Sequence, residues 1–226
     1  MRVEARSVVN GAISVFVATA LAATIAIVGQ TGGAVEARAA GAHAPTRSRA
    51  AVAFRNDMRK LWEDHITWTR VFIISDVAGL PDRDTAAGRL LANQDDIGDA
   101  IRPFYGDAAG DQLTSLLRDH ILIAAEILDA AKQGDQAGVA DANARWHANG
   151  QEIADFLHSA NPSQWSRKML RSMMNEHLDW TLNEAVARLN QDWDADVAAY
   201  DHIHQDILHM ADTLSLGVIR QFPARF

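Results

Sequence analysis

Cysteine is absent from the 226 residues, and with it go disulfides, thiolate nucleophiles, iron–sulfur clusters and every cysteine-based zinc site. Any metal this chain holds is therefore bound by His, Asp or Glu. Basic runs are scarce too: Lys and Arg total 21 against 29 Asp and Glu, for a formal charge of −8. Only the stretch from Arg47 to Lys60 gathers scattered basic residues, so the basic face that nucleic-acid phosphates require is missing, and acidic partners fit no better. Five prolines and 14 glycines in a chain that is 48% apolar are consistent with one globular domain large enough to bury a substantial core.

Further absences narrow the chemistry. No Gly-x-Ser-x-Gly elbow occurs, and no Gly-rich phosphate loop lies outside Gly29 to Gly33 near the N-terminus. Asp192-x-Asp194-x-Asp196 has the spacing of a calcium loop, but the sixth position is not Gly and the twelfth is Ile203 rather than Glu. Paired Glu-x-x-His motifs of the ferritin-like di-iron type are missing, as are inward His-x-x-x-His and His-x-x-x-Glu pairs. Strand-like alternation of useful length is also lacking, so the chain is expected to be all-α.

Residues 8 to 28 carry no charge, follow Arg2 and Arg6, and precede small-residue triplets such as Ala37-Arg38-Ala39 and Ala40-Gly41-Ala42. That order is the layout of a secretory signal, with an uncleaved single-span membrane anchor as the alternative. Residues 1–39 are thus expected to be a signal or anchor with an Ala/Gly-rich linker, and residues 45–223 an exported domain.

Within that domain the apolar residues recur at helical spacing. Phe54, Met58, Leu61, Trp68 and Phe72 form one stripe, with Trp62, Ile66, Ile73, Val77 and Leu80 as a second, predicting a helix from Pro45 to Leu80 that packs on two sides. Pro81 ends it, and Asp82 or Asp84 opens a shorter connector to Tyr105. Gly106-Asp107 and Gly134-Asp135 read as paired stop and start signals around a third helix, and a more polar, peripheral helix runs from Gln136 to Ser159. Asn161-Pro162-Ser163-Gln164 predicts an N-cap, a proline at the first helical position and a capping-box glutamine. The last helix opens at Asp192 and is expected to bury Val197, Tyr200, Ile203, Ile207, Ala211, Leu214 and Val218. Short connections then give an up-and-down bundle of four long helices plus peripheral ones.

The chemistry-bearing feature is a recurrence. Asp64-His65-Ile66-Thr67-Trp68-Thr69 returns as Glu176-His177-Leu178-Asp179-Trp180-Thr181, and its acid-His-aliphatic core returns as Asp119-His120-Ile121 and Asp201-His202-Ile203. His65, His120 and His177 fall on apolar stripes near helix midpoints, and on the last helix His204 fits the inward face better than His202. In an antiparallel bundle, midpoints share one height, so four imidazoles are expected to meet there. Converging neutral imidazoles suit a transition metal such as Fe, Zn, Cu or Mn. Asp201, three residues before His204, is spaced to join as a ligand. Asp64, Asp119 and Glu176 lie about 100° round their helices and are expected to accept ring N–H bonds from neighbouring helices instead. Trp68 and Trp180 would screen the layer from water. Haem between two facing histidines is a weaker expectation. In the alternative, the histidines are structural groups satisfied inside a non-catalytic envelope or interaction protein.

The run Leu61-Trp62-Glu63-Asp64-His65-Ile66-Thr67-Trp68-Thr69-Arg70, with Phe104-Tyr105-Gly106-Asp107, Asp119-His120, Glu176-His177, Glu184-Ala185-Val186-Ala187-Arg188-Leu189 and Ile219-Arg220-Gln221-Phe222-Pro223, resembles a family of small helical bacterial proteins, often exported, that has no established activity. The resemblance implies an all-helical fold and nothing about chemistry.

Overall fold

A computed structural model describes residues 48–226, so the expected leader and the expected helix start at Pro45 lie outside the described residues. Six helices of 23 to 30 residues follow one another: α1 Arg49–Ala78, α2 Arg83–Tyr105, α3 Asp107–Gln133, α4 Gln136–Ala160, α5 Arg167–Leu189 and α6 Trp193–Gln221, with a last 3-10 turn at Pro223–Arg225. No strand occurs among the described residues. None of the described helices is long and apolar enough to cross a membrane.

Local chemistry sets most boundaries. The Ser48 hydroxyl accepts from the Ala51 N–H at 3.0 Å and starts α1. Gly134, at φ 72°, closes α3 in a conformation that any side chain would strain. Asp135 then caps α4 through the Gly138 N–H at 3.0 Å, and Asp192 caps α6 through the Ala195 N–H at 3.1 Å. Asp107 departs from the expected pattern: it is the first helical residue of α3 and makes no side-chain cap.

The start of α5 is a correction. Ser166, not Asn161, is its N-cap, accepting from the Met169 N–H at 3.2 Å. Asn161 ends α4 instead and donates its side-chain amide to the Gly217 carbonyl at 3.0 Å. Trp165 explains the shift: its indole is buried on α6 and donates to the Thr213 carbonyl at 3.3 Å. Burying that ring requires one extra turn of chain before the helix can begin.

Each helix packs on its neighbours in sequence, and α6 closes back on α1. The result is a ring of six antiparallel neighbours rather than four helices with attachments. α2, expected as a short connector, and α4, expected at the periphery, are full walls of that ring. Alternate helices run in the same direction, and α1 also touches α3 and α5 across the interior. Three helical hairpins, α1–α2, α3–α4 and α5–α6, thus each present one inward odd-numbered helix, and those are the helices that carry His65, His120 and His177.

A three-histidine centre

His65, His120 and His177 are 3%, 3% and 5% exposed, at the middle of α1, α3 and α5. The His177 ring lies 5.8 Å from that of His65 and 6.4 Å from that of His120, centroid to centroid. Three of the four expected imidazoles therefore converge. The fourth does not: His204 is half-buried at the α1–α6 seam, where its Nε2 meets the Glu63 carboxylate at 2.8 Å. Asp201 is exposed. The reason is register. Ile203 and Ile207 take the inward positions of α6 at this height, and His204 stands about 100° away from Ile203. The same rotation exposes Val197 (53%) and half-exposes Tyr200, while Asp196 and Ala199 turn inward.

The expected acidic partners are also replaced. Asp64 pairs with Lys60 at 2.9 Å and Arg89 at 3.6 Å. Asp119 lines a surface groove with Glu126, Arg145 and Glu152, and Glu176 is exposed. Amides do the work instead. Asn149 of α4 donates to the Leu116 carbonyl at 3.0 Å, which fixes its orientation, so its Oδ1 accepts the His120 Nδ1–H at 2.8 Å. His120 is left with its lone pair on Nε2. Gln94 of α2 donates to the Leu90 carbonyl at 2.8 Å, and the same nitrogen faces His65 Nδ1 at 3.2 Å, so that ring accepts at Nδ1 and carries its proton on Nε2. His177 Nδ1 is buried with no partner.

These amides had a signal in the sequence. His65 to Gln94 and His120 to Asn149 are both separations of 29 residues. Counting the same distance from His177 (177 + 29) reaches Asp206, whose Oδ2 is likewise buried and unpartnered. The hairpin repeat is therefore complete in two copies and altered in the third.

Trp68 and Trp180 do not screen the centre. Trp68 sits under the Arg89 guanidinium at 5.7 Å, and Trp180 stacks on His202 at 4.0 Å. The tryptophans beside the imidazoles are Trp62, 5.9 Å from His65, and Trp146, 5.1 Å from His120 with its indole N–H donating to the His120 carbonyl.

Burial removes the water that would solvate an imidazolium, and it pushes His65 down to about 3, with His120 adding repulsion and the Gln94 bond opposing it. His120 falls to about 4, again through burial, with the Asn149 bond offsetting part of the shift. His177 lies well below the usual range because of burial and its two histidine neighbours. All three rings are neutral at pH 7, the form that binds metals. Even so, no group of three or more His, Asp or Glu side chains among the described residues is arranged to hold a metal ion as it stands.

A second buried polar set lies further along α1, α5 and α6. The Arg70 guanidinium spans Glu184 and Asp196, meeting Asp196 at 2.8 Å and stacking on Tyr200 at 4.7 Å, while Arg188 reaches Asp196 at 3.1 Å. Burial pushes the Glu184 carboxyl up to about 7 in spite of Arg70. Four charges from three helices tie that end of the bundle together.

Searches of protein-family models, of curated proteins and of solved structures each give no match to this chain.

Proposed function

We propose that this chain is an exported helical-bundle protein that binds one transition-metal ion, Fe, Zn, Cu or Mn, at the centre formed by His65, His120 and His177, for storage, sensing or redox chemistry. The observation that carries the proposal is the convergence of three buried imidazoles, one of which, His177, has no hydrogen-bond partner for its Nδ1. Of the six buried side-chain polar atoms without a hydrogen bond among the described residues, Trp62 Nε1, Gln94 Oε1 and His177 Nδ1 belong to the centre or its immediate neighbours, and the other three are Arg89 Nη1, Asn143 Oδ1 and Asp206 Oδ2. A buried imidazole nitrogen left unpaired costs about 1–3 kcal/mol, which a metal ion bound at His177 would offset.

The distances support the same reading. Two imidazoles on one tetrahedral zinc, at the usual Zn–N length, would have ring centroids roughly 5–5.5 Å apart, and the observed separations are 5.8 and 6.4 Å. Closing by about 1 Å or a little more is within side-chain adjustment. Asn149 already holds His120 in the tautomer a metal needs, as outer partners of metal-bound histidines do. Haem has less support, since the cavity beside the rings is about 40 Å³, too small for a porphyrin. Export is read from residues 8–28.

A second reading is favoured by Gln94. Its donation to His65 leaves a proton on Nε2 of that ring, which suits a neutral polar core in a non-catalytic protein better than a ligand. Elemental analysis of untagged protein separates the two. One equivalent of metal, lost in His177→Gln and His120→Leu and kept in His204→Ala, supports the centre. Absence of stoichiometric metal after purification, and after incubation with Zn, Cu, Fe and Mn, removes it.

A further inference from the structure

One helical turn beyond the three rings lies a partly open cavity of about 40 Å³. Its wall draws on α1 to α5, with Thr69, Leu90, Ile121, Ala124, Trp146 and Thr181 nearest the histidine layer. The cavity follows from the sequence of that next layer. Position i+4 from each histidine is Thr69 on α1, Ala124 on α3 and Thr181 on α5, three small side chains facing one another where three large ones would fill the axis. Both threonine hydroxyls are turned back onto their own helices, Thr69 to the His65 carbonyl and Thr181 to the His177 carbonyl, each at 2.8 Å. Their protons are thereby used within the helix, and the surface that lines the space is almost entirely methyl, aliphatic and aromatic carbon.

Size and polarity together select the occupant. A water molecule needs only roughly 10–15 Å³ of such space, but it also needs two to four polar partners, and this wall presents almost no polar surface. A benzene-sized molecule needs a cavity of roughly 150 Å³. What fits is a single small apolar molecule.

We propose that this cavity binds one apolar molecule of the size of dioxygen, held one helical turn from the imidazoles. A substrate role for that molecule rests on the metal reading of the centre, whereas its binding does not. Trp146 ties the two sites together, because its ring packs on His120 and also walls the cavity. A guest and a ligand of the centre would thus share a wall.

Methyl NMR of the full chain, stripped of metal with a chelator, tests binding without any metal. Under increasing xenon pressure, saturable shifts are expected at the Leu90, Ile121, Thr181 and Ala124 methyls, and dissolved dioxygen is expected to broaden those same signals several-fold more than other core methyls. Ala124→Leu fills the space and should abolish both effects with its circular dichroism unchanged. Should that variant not fold, Ala185→Val, in the same wall, is expected to weaken both. Xenon shifts that are absent, or dioxygen broadening spread evenly over the core, would overturn the site whatever the metal analysis shows. Xenon binding in a chain that takes up no metal supports the cavity and removes only the metal reading.

Discussion

The three neutral histidines make the stability of this protein depend on pH with a definite sign and slope. Their folded-state pKa values lie below the ordinary 6.5, at about 3 for His65, about 4 for His120 and lower than usual for His177. The unfolded chain therefore binds protons below pH 6.5 that the fold refuses. Stability is complete above that pH and falls as the solution is acidified, by about 1.4 kcal/mol per pH unit for each ring, or about 4 for three. Glu184 acts in the opposite direction. Its carboxyl titrates at about 7 in the fold against 4.5 ordinarily, so between those values acidification protonates the folded state first and favours it. Subtracting its one proton leaves a net uptake of two on unfolding, or about 2.7 kcal/mol per pH unit and about 4 kcal/mol between pH 6.5 and pH 5. That is a large part of the roughly 5–15 kcal/mol a domain commonly has. Urea unfolding at half-unit pH steps, followed by far-ultraviolet circular dichroism, measures the slope. Glu184→Gln should steepen it toward three protons, and His177→Leu should reduce it by one. A stability that stays level from pH 7 to pH 5 would show that the rings are solvated or charged in the fold, and the neutral centre would fall with it.

Three other perturbations follow from particular contacts. In Gly217→Ala the new Cβ would stand 2.0 Å from Trp165 Nε1, so either the indole or α6 moves, and a loss of about 1–3 kcal/mol in urea unfolding is expected. Asp206→Asn places an amide where the other hairpins have Gln94 and Asn149, and it removes a carboxylate whose pKa is raised by burial and by Glu176. A gain of up to about 1 kcal/mol at pH 7 is expected, and a loss would refute the equivalence of the third hairpin. Arg70→Met leaves Glu184 and Asp196 buried without their shared cation. Thermal unfolding should report a loss of about 3–5 kcal/mol, smaller at pH 5 than at pH 8 because Glu184 is then protonated.

Much of the fold was legible because helix formation depends on neighbours in sequence. Helical spacing of apolar residues, Asp135 before α4, Asp192 before α6 and Gly134 after α3 mark helix ends with little help from the rest of the chain. Asn161-Pro162 has the same local appearance of a helix start, yet α5 begins at Arg167, since the burial of Trp165 against Gly217 outweighs a cap worth about 1 kcal/mol. The inward faces of α2 and α4 include amides, Asn93, Gln94 and Asn149, which a hydrophobic pattern does not count.

Composition and apolar spacing suffice to make the chain helical, to exclude cysteine chemistry, and to put His65, His120 and His177 on buried faces at mid-helix. Whether His204 joined them was decided only by the tertiary structure, because a rotation of about 100° on α6 separates an inward residue from one at the seam, and the packing of Ile203 and Ile207 sets that rotation. The partners of the imidazoles were decided in the same way. Gln94 and Asn149 reach the rings across hairpins of 29 residues, and such a contact depends on how two helices lie against each other, which no single helix specifies.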